Sequence, residues 1–259
     1  MGQKMIIIIQ KYGFLSKRSK DISLLEQYQM NKEWSELNKT LQTQLKKEST
    51  YTEGIASLFD LRKQLMNVLL SFDKELNRED FNAIPFINAN GYHCKTIAYS
   101  IWHIFRIEDI VAHSLIHDDE QVFFSGNYQK RIGSPIITTG NELVKQQIAD
   151  FSKELNLKEL YSYITAVNDS TEKILQNLAY KDLKEKISDD KKEYLKSLNV
   201  VSTDENAIWL IDYWCQKDIK GLIQMPFSRH WIMHIEACLR IKNRVLSINP
   251  CEFYKDKIL

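Results

Sequence analysis

The sequence predicts an all-α fold, and three observations carry that expectation. Apolar residues recur at three- and four-residue intervals through several long stretches, the period of a helix that buries one stripe. Breakers are scarce among the 259 residues, with 8 Gly and 4 Pro, so long helices can run uninterrupted. No stretch alternates apolar and polar residues for long enough to read as a strand, and no repeat of roughly 20–50 residues emerges.

Residues 1–29 read as an N-terminal extension. They hold an isoleucine run (Ile6 to Ile9) and a basic cluster at Lys17, Arg18 and Lys20, with no sustained period. Met30, which precedes the pattern Trp34, Leu37, Leu41, Leu45, reads as an alternative start. The next helix is expected over 53–72, with Ile55, Leu58, Leu61, Leu65, Val68, Leu69 and Phe72 inward and a Thr50-x-x-Glu53 capping box. Pro85 bars its continuation.

A second bundle helix is expected over 95–117 and a third over 157–179, where Leu160, Ile164, Val167 and Ile174 keep the period. Between them, Thr139-x-x-Glu142 reads as another capping box. Residues 181–200 are heavily charged and read as a solvent-facing connector or short helix. Ser202-x-x-Glu205 is expected to cap a helix carrying Trp209, Ile211, Trp214 and Ile219, with Gly221 ending it. The last helix is expected over 228–248, between Pro226 and Pro250, with a tail at 251–259.

Composition excludes several functions. Net charge is +1, with nine basic against five acidic residues in the first 50, so no charged face seeks nucleic acid or membrane. Cys94, Cys215, Cys238 and Cys251 form no CxxC and no disulfide framework, which suits a reducing, cytoplasmic setting. The isoleucine run is too short for a membrane span. No Gly-rich phosphate loop and no GxSxG is present.

Histidines are the informative residues. His113/His117 and His230/His234 both fall at i, i+4, where about 0.1 such pairs are expected by chance. That spacing puts two imidazoles on one helix face, about 6 Å apart along the axis, within reach of one ion. Trp231 stands where a zinc protease would carry its general-base Glu, which removes that chemistry. His103, flanked by Trp102 and Ile104, is the third candidate ligand; its other reading is a core histidine bonded to a carbonyl. His113 and His117 sit beside Asp118, Asp119 and Glu120 and read as structural or surface residues, and His93 beside Cys94 carries little signal. Arg106, Glu108 and Asp109 read as ion pairs on one side of the bundle, or as groups that orient a ligand histidine.

Residues Thr96 to Ile110, with Trp102-His103-Ile104 at their centre, resemble the second helix of the DinB/YfiT-like proteins. Pro226 to His234 is similar to the start of that family's last helix, and Leu160 to Asp182 to its third. The likeness covers roughly residues 30–250 and excludes the polymerase that shares the DinB name. It implies an up-down-down-up four-helix bundle with extra helices, often a homodimer. It also implies a divalent metal, commonly zinc or nickel, on three histidines that fall here on His103, His230 and His234. The long stretch between the third and last helices, including 185–222, departs from the family and leaves the pocket mouth open to question.

Some members of that family are thiol S-transferases. The resemblance therefore implies a metal-dependent transfer between a low-molecular-weight thiol and a small electrophile, held among apolar residues such as Trp102 and Trp231. Two other functions remain open on the sequence: a non-catalytic metal-binding stress or structural protein, and a helical interaction module. No nucleic acid or membrane partner is expected.

Overall fold

The computed structural model describes residues 24–89 and 93–247, and every regular element among them is a helix. A single antiparallel bridge, Lys186 with Asp218, is the nearest approach to a strand among those residues. The isoleucine run, the basic cluster at 17–20, Cys251 and the tail lie outside the described residues.

Two compact units divide at Glu33 and Trp34. Of the first, residues 24–33 are described. They form the beginning of helix α1 (Leu24–Gln44), which runs through the expected boundary at residue 29, and Gln29 donates to Glu33 across one turn. In the second unit, α1 presents Trp34 and Leu41, and Leu45 just beyond it, to the interior.

Four long helices form the frame: α2 (Tyr51–Glu75), α4 (Ile97–Asp109), α8 (Leu157–Asn177) and α12 (His230–Ser247). α4 packs on α8 and α12, and α2 packs on the same two, so the four close around one interior. Shorter pieces fill the connections: α3 (Arg78–Asn82), α5 (Val122–Ser125), α6 (Tyr128–Ile132), α7 (Gln146–Glu154), α9 (Asp189–Ser197), α10 (Trp209–Cys215) and α11 (Ile219–Gln224).

The apolar periods land where the sequence places them, but the caps differ. Thr50 makes no cap to α2; its hydroxyl donates to the Gln44 carbonyl. Thr96 caps α4 by accepting from the Tyr99 amide, and Asn156 caps α8 through Glu159. Thr139 caps nothing, because residues 137–140 run along α4 and α7 starts only at Gln146. Ser202 accepts from the Asp204 amide in a turn, and Gly221 lies within α11, bonded to its N-cap Asp218. At Thr50, Ser202 and Gly221 a local partner takes the place of the cap that spacing alone suggests.

Two further departures matter for the site. Every residue of α4 is buried, where one apolar face was expected, because helices surround it. Its charged residues are therefore interior: Glu108 pairs with Arg62, Arg106 binds Gln121, and Asp109 accepts from the Val122 and Phe123 amides. The expected ion pairs form, but on two sides of α4: Arg106 Nη1 lies 3.6 Å from Asp109 Oδ2 and both turn to residues 121–123, while Glu108 turns to Arg62 on α2. The charged stretch near 181–200 holds the short helix α9, one of the two readings expected of it, but it also sends Leu183, Leu195 and Val200 into one cluster with Ile107, Val111 and Trp214. The spacing of charges along that stretch hides single inward leucines.

Candidate metal centre

α4 and α12 cross with His103 in the middle of one and His230 at the first turn of the other. A π-helical turn, Met225–Arg229, leads into α12. Pro226, at its start, has no amide hydrogen, and the wider turn sets the rotation with which His230 and His234 face α4. Because side chains lean toward the helix N-terminus, both imidazoles are thrown toward the same end of the crossing.

The three expected ligands come together. Ligand atoms of His103, His230 and His234 all lie within 4.8 Å of one another, and all three side chains are buried. Nε2 of His230 stands 3.3 Å from Nε2 of His103. A tetrahedral ion with bonds near 2.1 Å places its ligand nitrogens about 3.4 Å apart, so this pair already has ligand spacing. His103 Nδ1 donates to the Thr139 carbonyl at 2.7 Å. A carbonyl can only accept, so the proton of neutral His103 sits on Nδ1 and the Nε2 lone pair faces the other two rings. The carbonyl contact expected of a core histidine is present, and the other ring nitrogen faces His230 and His234.

Burial keeps the donors neutral. It lowers the His230 imidazole to about 4. It also holds His103 and His234 well below the ordinary histidine range, with the neighbouring imidazoles adding to the effect. Nδ1 of His230 has no hydrogen-bond partner among the described residues. Three neutral imidazole nitrogens gathered this closely suit a divalent cation better than they suit one another.

The strip 137–140 supports the α4 side of the site. Its carbonyls accept from Arg106 Nε at Ile137, from His103 at Thr139 and from the Tyr99 hydroxyl at Gly140. Those three donors are spaced at 99, 103 and 106, one face of α4. Gly140 has φ +76, and a Cβ there would lie 2.9 Å from the Trp102 ring, so only glycine lets the strip lie this close.

Two cavities meet at the triad. One of about 460 Å³ is lined by Lys95, Tyr99, Asn141 and Lys145, and one of about 270 Å³ by Trp214, Met225 and Met233; His103, His234, Asn141 and Trp209 border both. The segment between the third and last helices thus forms part of the pocket wall through α10. Trp102 and Trp231 line neither cavity. Trp102 packs on Phe151, and Trp231 donates to Glu108 with Arg62 stacked on its ring. Their indoles are turned into the core, and the aromatic lining comes from Trp209, Tyr213 and Trp214 instead.

The other histidines stay apart from this group. His113 Nδ1 lies 2.5 Å from Asp119 and its Nε2 lies 3.1 Å from the Ser170 hydroxyl, while His117 is half exposed. This is the structural or surface role expected of them, and among the described residues the triad is the one histidine, cysteine or carboxylate group placed so that it could hold a metal ion. The sequence missed the Thr139 carbonyl, which has no side-chain signal, and the cavity residues Lys95, Asn141, Trp209 and Tyr213. Lys95 was discoverable, because it stands eight residues before His103 and four before Tyr99. Comparison with protein-family models and with curated proteins finds no match. No helix among the described residues is long and apolar enough to cross a membrane.

Proposed function

We propose that the chain is a DinB/YfiT-like metal protein that holds one divalent ion, zinc or nickel, on His103, His230 and His234. On this reading it joins a low-molecular-weight thiol to a small electrophile. The observation that carries the reading is the donor set, three buried neutral imidazoles gathered where two cavities meet. Three protein nitrogens leave coordination positions for an outside ligand, unlike a closed structural site. When bound, a divalent ion favours an anionic thiolate over a thiol at neutral pH.

The chain's own groups supply the rest. The Thr139 carbonyl fixes the His103 ring and its tautomer. The walls at Trp214, Met225 and Met233 exclude water and hold an apolar electrophile. Of the described cysteines, Cys94 alone lines a cavity that reaches the triad, and its thiol is engaged with the backbone. Burial pushes the Cys238 thiol up to about 12, and Cys94 Sγ donates to the Ile87 carbonyl, which points to a thiol from solution.

The closed set of α2, α4, α8 and α12 is what an up-down-down-up four-helix bundle of this type would need, with α9 to α11 as additions. The reading extends to a cytoplasmic homodimer, which sedimentation velocity and cell fractionation test. The central experiment is metal analysis of purified protein together with thiol-conjugation rates. About one ion per chain is expected in the wild type, and far less in His230→Ala and His103→Ala. Conjugation should follow metal content. Loaded protein with no rate above free metal across several thiols and electrophiles would leave a non-catalytic metal protein; absence of metal would end the reading.

A further inference from the structure

The larger cavity carries a charge that the triad alone does not explain. The Lys95 side chain lines it, half-buried, with Nζ 4.6 Å from the centre of the Tyr99 ring. That ring stacks on His103 at 5.4 Å and an interplanar angle of 12°. Lys95, Tyr99 and His103 therefore form one column, spaced by four residues each. Burial lowers the Lys95 ammonium from its ordinary value, an effect that an anion beside it would oppose. Lys145 borders the same cavity, and no Asp or Glu lines either cavity among the described residues.

Tyr99 is no counter-ion, because burial pushes its phenol far up and its hydroxyl donates to Gly140. An ammonium beside a divalent ion is repulsive, and in a partly desolvated cavity the repulsion is poorly screened. An anion placed beside the ammonium turns that repulsion into attraction. Past the triad the lining changes character, to Trp209, Leu210, Tyr213, Trp214, Met225 and Met233. Because His103, His234, Asn141 and Trp209 border both cavities, a single ligand can pass from one to the other. The volumes, about 460 and 270 Å³, are those of small-molecule sites.

We propose that the ligand of this site is a small amphipathic anion, its acid group held by Lys95 and its apolar body beneath α10, with the metal site between them. The inference rests on the reading of the triad as a metal site and adds the chemical class of what binds there. The acid group gains a charge-assisted contact, and the apolar body gains aromatic and thioether contacts that a hydrophilic anion would forgo.

The test is equilibrium binding of ω-phenylalkanoates, from 3-phenylpropanoate to 6-phenylhexanoate, and of their carboxamides, to zinc-loaded full-length protein. Zinc content is measured first on the same samples. The best acid of the series is expected to bind roughly tenfold or more tightly than its amide and than acetate. Lys95→Met should erase the preference for acid over amide, and Lys95→Arg should keep it. Trp209→Ala should weaken the acid and the amide alike while leaving their ratio. Full zinc loading with acid and amide binding equally overturns this inference alone. A preference that survives Lys95→Met overturns it too. Protein that takes up no zinc overturns the metal reading and this inference with it.

Discussion

Metal-free protein should lose stability as pH falls below about 6.5, and the three buried histidines set that loss. An unfolded histidine takes its proton near 6.5, whereas folded His230 resists until about 4. Between those values the unfolded chain binds more protons than the folded one, so stability rises with pH. The stabilisation is fully present above 6.5 and is lost as pH falls through the window to about 4. At about 1.4 kcal/mol per pH unit, that gap corresponds to about 3 kcal/mol for His230 alone. His103 and His234, lowered by burial in the same direction, add to it. The assay is urea denaturation with a chelator at pH steps from about 7.5 to about 4. Carboxylates titrate in the lower half of the window, so the readout is the difference between wild type and His230→Asn. The variant should lose less stability over the window, by about 3 kcal/mol at most. Equal loss in both proteins would refute the reasoning, and so would a flat wild-type profile between pH 5 and 6.5.

Two further outcomes are expected. Glu108→Ala leaves Arg62 and the Trp231 indole without their shared partner and should cost about 3–5 kcal/mol by urea denaturation, while Arg62→Met combined with Glu108→Met should recover most of that; a double variant as weak as the single one would count against the buried pair as its source. Gly140→Ala forces a left-handed backbone and a contact with the Trp102 ring, so it should cost about 1–3 kcal/mol and lower metal affinity by about 10–100-fold through the Thr139 carbonyl; unchanged zinc affinity by competition titration would show that the carbonyl does not orient His103.

The frame and the triad were legible because both rest on side-chain spacing. Leu58, Leu61, Leu65, Leu69 and Phe72 keep a helical period that needs no tertiary knowledge to read, and all five are buried. His230 and His234 are co-facial by helix geometry alone. What failed to show rests on backbone or on long-range packing. The Thr139 carbonyl that orients His103 has no side-chain signature. The caps expected at Thr50 and Ser202 fit a four-residue register that turns satisfy equally well. That Arg106 and Glu108 make polar pairs was legible, but not which residues they meet, because their partners Gln121 and Arg62 stand 15 and 46 residues away. The cavity wall from α10 was hidden for a related reason: Trp209 and Tyr213 keep an apolar period that core packing would also produce.

The buried charges connect the frame to the site. Arg62 on α2 makes two hydrogen bonds to Glu108 on α4, one to Asn168 on α8, and one to the Phe227 carbonyl inside the π-helical turn. Glu108 in turn accepts from the indole of Trp231, the residue after His230. One ion pair therefore touches all four long helices or the turn that starts the last of them. Replacing such a pair by apolar residues is often neutral for stability, so net stabilisation is a weak account of its presence. Its hydrogen bonds are directional where apolar contacts are not. A slip of α12 by one residue would rotate it by about 100° and carry His230 and His234 away from His103. Glu108 stands five residues beyond His103 on the same helix, so the element that offers the first ligand also sets the rotation of the element that offers the other two. We therefore take the pair's role to be geometric. On that account the Arg62→Met and Glu108→Met double variant should fold with near wild-type stability yet bind metal more weakly, and a double variant that keeps full zinc affinity would show that packing alone fixes α12.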